Sequence, residues 1–178
     1  MITVTEQMLE KAIYDWAAGV LGSNVPVVWY HDNAPRPIVP YVALHIRLTV
    51  SVGVDAIVQT SPASGTINIV GNRDFFLYVQ GIGKSSADFC EALKTSLEKP
   101  TVQLQLRSAG IAFVNRISET CVSELVDNRW EERNLLDLKF RYAQIDTDAP
   151  GSFDKIAAEY DLINIDLNTI TVDNITIS

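Results

Sequence analysis

Cysteine and histidine are both scarce, with two of each in 178 residues, and each scarcity excludes chemistry. Cys90 and Cys121 give neither a disulfide framework nor a close-spaced metal pattern. Both are expected as reduced, small core residues of a protein made in a reducing cytoplasm. His31 and His45 lack HxH, HxxxH or ExxH spacing, so no zinc set or catalytic pair is legible. No run approaches the ~20 apolar residues of a membrane helix. The opening MITVTEQMLEKAIYDW lacks the basic-then-apolar order of a secretory signal. Basic residues are also few: 14 Lys and Arg against 22 Asp and Glu, a net charge of −8. Tight nucleic-acid binding by counterion release needs clustered Lys and Arg, and the chain has no such cluster. A surface that repels DNA still suits a protein that DNA must slide past.

What is present is an ordinary globular composition, 47% hydrophobic and 20% charged. The length predicts one domain over 1–178, with a core over about 1–160 and a strand-rich extension at 161–178. Charge is uneven. Residues 144–178 hold seven acids against Lys155 alone, net −6, whereas residues 1–143 come to −2.

Two segments have helical periodicity. Thr3 and Thr5 are candidate caps for a helix over about 5–21, where Leu9, Ile13, Trp16, Ala17 and Val20 recur on one face and Gly22 stops it. A second helix is predicted over about 85–99, capped by Ser85 or Ser86, with Phe89, Leu93 and Leu97 as its buried stripe and Pro100 just beyond. A further short helix ends at Gly110. Strands are predicted at 25–31, 41–50 and 52–59, and at 66–81 with a break near Gly71-Asn72. Others follow at 111–116 and 130–142, with 117–128 irregular between them and one more strand within FDKIAAEY. The sum is an α/β (α+β) fold with an antiparallel or mixed sheet and two main helices.

Candidate chemistry does not survive comparison with plainer accounts. Gly81 and Gly83 in GIGKS lack the full phosphate-loop spacing, since position 78 is Tyr, and better serve a strand-to-helix exit. Cys90 has no local base to lower its pKa. Glu131, Glu132 and Asp137 share their strand with Arg129, Arg133, Lys139 and Arg141, so ion pairing explains them better than paired catalytic carboxylates. No catalytic, cofactor or metal residues are assigned.

Four stretches taken together resemble a family: RPIVPYVALHI, RDFFLYVQGIGKSSADFCEAL, LRSAGIAFVN and WEERNLLDLKFRY. In this order and spacing, over about residues 25–160, they are similar to the neck and tail-terminator proteins of tailed bacteriophages. The resemblance implies a structural virion protein made in the host cytoplasm, not an enzyme. It implies a homo-oligomeric ring, usually six-fold, that caps the tail tube and offers a docking surface to the head connector. DNA would pass through without specific binding. The alternative is another tail-completion or baseplate component that stays monomeric in solution.

The strand RNLLDLKFRY poses the central question. Leu136, Leu138, Phe140 and Tyr142 alternate with Asp137, Lys139 and Arg141, with Arg133 in the same register. The apolar face belongs to a core. The charged face is either solvated or set against another subunit, where Arg133, Asp137, Lys139 and Arg141 would fix register and partner more than affinity. Two loops are further candidate assembly surfaces: 32–40, stiffened by Pro35, Pro37 and Pro40 and carrying Arg36, and 60–65, with Ser61, Pro62 and Ser64. In 161–178, alternation of Ile163, Ile165, Leu167, Ile170 and Val172 suits short strands, which either complete their own sheet or add to a neighbour's edge.

Overall fold

The computed structural model describes residues 4–31, 35–61, 65–150, 159–166 and 169–176, with 59–61 and the last two stretches by their backbone. The chain divides into two compact units: Met1–Ala56 with Val70–Asp146, and Ile57–Ile69 with Thr147–Ser178.

In the first unit α1 (Glu6–Leu21) starts at Thr5, whose Oγ1 accepts from the Met8 N–H at 3.3 Å. Gly22 ends it at φ +72°, a conformation that favours glycine. β1 (Val27–Trp29) runs parallel to β2 (Tyr41–Ser61), pairing Val27 with Val42 and Trp29 with Leu44. β3 (Thr66–Ile82) leads to α2 (Ser86–Ser96) and α3 (Pro100–Ser108), then to β4 (Ile111–Cys121). A hairpin of β5 (Glu124–Val126) and β6 (Arg129–Glu131) precedes β7 (Arg133–Asp148). The main sheet has the order β1-β2-β3-β7-β4, mixed because β1 is parallel to β2 while β4 is antiparallel to β7.

The three helices bury one sheet face. Leu9, Ile13 and Trp16 of α1, Cys90 and Leu93 of α2 and Leu106 of α3 join Val42, Leu44, Phe75, Leu77, Leu136, Leu138 and Phe140 in one core. Even positions on β2 and β7 and odd positions on β3 therefore point inward, as a period of two requires. Polar pins hold the layers in register. The Trp16 indole donates to Ser96 Oγ at 3.0 Å, and Asn134 Nδ2 donates to the buried Ser86 Oγ at 2.8 Å.

Several predicted boundaries move. The strands expected at 41–50 and 52–59 are one strand of 21 residues, and 66–82 is likewise continuous through Gly71-Asn72. Both irregularities are absorbed within strands, at Gly53 (φ +74°) and at Gly71, where a Cβ would collide with the Asp55–Arg73 ion pair. The stretch expected to be irregular, 117–128, instead continues β4 to Cys121 and then forms β5. Asp127 and Asn128, both at positive φ, make the two-residue turn between β5 and β6. Ser85 precedes α2 but sits in the left-handed region and makes no side-chain cap. Pro100 lies beyond the end of α2, as expected, and is also the first residue of α3. Gly81 and Gly83 do let the chain leave β3: Gly83 has φ +92°, and a Cβ on Gly81 would lie 2.6 Å from the Ser86 carbonyl.

The second unit contains the distal ends of β2 and β3 and a separate two-stranded sheet of β8 (Glu159–Asp166) and β9 (Thr169–Thr176). Their antiparallel register pairs Ile163 with Val172 and Ile165 with Ile170. The expected strand in FDKIAAEY falls, for 153–158, outside the described residues.

Candidate assembly surface

With helices on one face, the chemistry of the first unit lies on the other. The inward alternation of β7 forces Asp137, Lys139 and Arg141 outward, beside the outward residues of β3. There Asp74, only 1% exposed, meets them. Arg141 donates to both Asp74 oxygens, from Nε at 2.6 Å and from an Nη at 3.1 Å, and Lys139 Nζ lies 2.8 Å away. The Arg141 hydrogen bonds are the main cause, ahead of the opposing effect of burial, that the Asp74 carboxyl is held below the usual carboxylate range. Lys139 also lies over the Phe76 ring, 5.8 Å from its centroid. The charged face is therefore largely neutralised by its own neighbouring strand.

Asp137 is different. It is 8% exposed, and its Oδ1 is buried without a hydrogen-bond partner among the described residues. Burial raises its pKa, with the charge of Arg47 opposing. A raised carboxyl pKa means that ionisation costs stability as pH rises through the unfolded value, about 3.9. Asp137→Asn should therefore melt higher than the wild-type monomer at neutral pH, by about 1 kcal/mol equivalent. The gap should close toward pH 4. A variant that melts lower throughout would show that Asp137 is stabilising.

Arg133 and Arg36 clamp a second carboxylate. Arg133 Nε donates to Glu131 at 2.8 Å and Arg36 Nη2 at 2.6 Å, while Arg133 also pairs with Glu124. Burial opposes the charge on Glu131, but the hydrogen bonds from Arg133 and Arg36 outweigh it and lower the pKa. Arg36 Nε donates to Tyr41 Oη at 2.9 Å, so the segment of Pro35, Arg36 and Pro37 is tied to β2 and β6. A 190 Å³ cavity lies under it, lined by Val28, Tyr30, Ala43 and Ile82 among others. Beyond the segment, Ile38 is exposed, as is Trp130 on β6, 75% accessible. Ser61 ends β2, whereas Pro62 and Ser64 lie outside the described residues.

The two histidines, without legible partners in sequence, meet where the turn after β1 lies beside β2. Their ring centroids are 4.4 Å apart, with Tyr30 and Tyr78 adjoining. Burial, then the nearby His31 and Arg47, lower the His45 pKa. Among the described residues no three His, Cys, Asp or Glu side chains could hold a metal ion. Burial pushes the Cys90 thiol up to about 11. Cys121 corrects the expectation of two core cysteines, since it is exposed at the end of β4. No helix among the described residues is long and apolar enough to cross a membrane.

Sequence reasoning missed Asp74, Glu131 as a shared acceptor, and the β5–β6 hairpin. The Asp-Asn pair between Leu125 and Trp130 was the available signal for the hairpin. Compared with known families, residues 7–175 match the model described as phage neck terminator protein. No curated protein matches the chain.

Proposed function

Because the chain belongs to the phage neck terminator family, a structural part of the virion, we propose that it closes into a ring, six-fold as a rule, that caps the tail tube and joins it to the head connector. The observation that carries this reading is the family match, which takes in 169 of 178 positions (7–175). The surface supports it physically. Contacts around a ring are heterologous, so one patch must meet a different one. The first unit offers distinct patches: the face where Lys139 and Arg141 pair with Asp74 beside the unpaired Asp137, and the Arg36–Glu131–Arg133 clamp with exposed Ile38 and Trp130. Pro35 and Pro37 pre-order their segment and lower the entropy cost of docking. Ser61, Pro62 and Ser64 belong to the same proposed contact set. A net charge of −8 without a basic cluster lets DNA pass unbound.

Negative-stain imaging of the purified protein tests the reading. Rings with a central hole, and tail tubes of fixed length when the protein is added to polymerising tube subunits, are expected. Discrete 19.7-kDa particles that leave tube length unaffected would instead favour a monomeric tail-completion or baseplate component.

A further inference from the structure

Among the described residues, β2 leaves much of one edge without a neighbouring strand. β1 covers β2 only as far as Leu44, where the Tyr30 N–H donates to the Leu44 carbonyl at 2.8 Å. Beyond it, no strand among the described residues lies on that edge of β2. The Val42 N–H also points to β1, donating to Pro26 at 2.9 Å. By alternation, Ile46, Leu48, Val50 and Val52 present their N–H and C=O groups to the open edge, until Gly53 at φ +74° interrupts the pattern. IRLTVSV has one charge, no proline and exposed Leu48 and Val50. Such an edge is a template for another strand. The opposite edge of the sheet is less suited, because β4 carries two register shifts that throw Val114 and Ile117 out of pairing.

A candidate donor is the β8–β9 sheet. It has only two strands, a number that is marginal in water without a third or a covering layer. β9 is the better edge: TITVDNIT has one acid, whereas β8 has Glu159, Asp161 and Asp166. Charge fits too. The hairpin contains four acids and no base. The start of the acceptor has Arg47, which donates to Tyr78 Oη and forms no salt bridge among the described residues, although its charge acts on the nearby Asp137.

We propose that the β8–β9 hairpin of one copy adds, through β9, to residues 46–52 of β2 on the next copy. This is β-augmentation that runs head to tail. It rests on the ring reading and gives that ring its contact. Each copy supplies one donor and one acceptor, so only closure satisfies every edge.

The test mixes two single variants, Val50→Cys and Thr171→Cys, each with Cys121→Ser, and treats them with a short bismaleimide. A product of twice the chain mass that contains one of each is expected. No mixed product would overturn the contact, as would cross-linking of Val50→Cys to itself. A double variant that consumes both thiols without gaining mass would show the hairpin on its own β2, which also overturns it. Val50→Pro is the second arm. It removes an N–H from the open edge and none from the β3 ladder, so the monomer should melt as wild type while assembly shifts to at least about tenfold higher concentration. Rings that form normally with Val50→Pro, in the absence of the mixed product, would sink this contact and leave the ring reading standing. Absence of wild-type rings together with absence of the mixed product would sink both.

Discussion

Replacing Phe140 with Ala should lower the unfolding free energy by about 3–5 kcal/mol, a large share of the roughly 5–15 kcal/mol typical of a domain. Phe140 is fully buried on β7. It stacks on Phe75 at 5.3 Å and 15°, and meets Trp16 and Phe113 edge-on at 6.0 and 5.6 Å. The ring thus joins α1 to three strands, and no single neighbour can fill the space it would leave. Urea unfolding should show a lower midpoint with an unchanged slope, and Phe140→Leu should recover most of the loss. A cost under about 1 kcal/mol would mean that this part of the core collapses onto the cavity. The helix layer would then be less rigidly seated than its aromatic contacts imply.

The second large effect is expected at Asp74, the acid that neutralises the charged face. Asp74→Asn keeps the shape but leaves Arg141 and Lys139 without their shared anion. Both cations are partly solvated and can rehydrate, so the cost should be about 1–3 kcal/mol rather than that of a fully enclosed pair. The pH dependence identifies the cause. Arg141 depresses the folded-state pKa of Asp74, so the stabilisation is fully present above the unfolded value of about 3.9 and is lost as pH falls through the folded value. Wild type and Asp74→Asn should therefore differ in melting temperature at pH 7 and converge only as pH falls through the depressed folded-state value. A constant difference across that range would assign the effect to packing. The same geometry revises what the sequence implies for charge reversal at Arg141. An exposed strand charge would be nearly neutral for the monomer, but Arg141→Glu sets a second carboxylate against a buried one and should lower the melting temperature before assembly is considered.

Much of the architecture is legible from periodicity. A period of 3.6 in residues 6–21 and a period of two in RNLLDLKFRY each place a core face without reference to the rest of the chain. Glycines mark several turns, although Gly53 and Gly71 lie within strands that a sequence reading divides. Of the two Asp-Asn pairs, Asp127-Asn128 makes a turn, whereas Asp173-Asn174, read as a turn, lies within β9. The family resemblance is legible too, since it rests on the order of short motifs that the family match spans.

What only the tertiary structure decided is the state of the polar groups. Whether Arg141 is solvated or paired depends on Asp74, 67 positions away, and hence on which strand lies next to β7. The histidine pair and the Arg36–Glu131 clamp likewise join segments that the fold brings together, 95 positions apart for the clamp. Local sequence determines which way a side chain faces, because alternation is a property of one strand. It does not determine what the side chain faces, because strand order and register are set by the whole core. The open edge of β2 is the extreme case, since an unpaired backbone has no residue type to announce it.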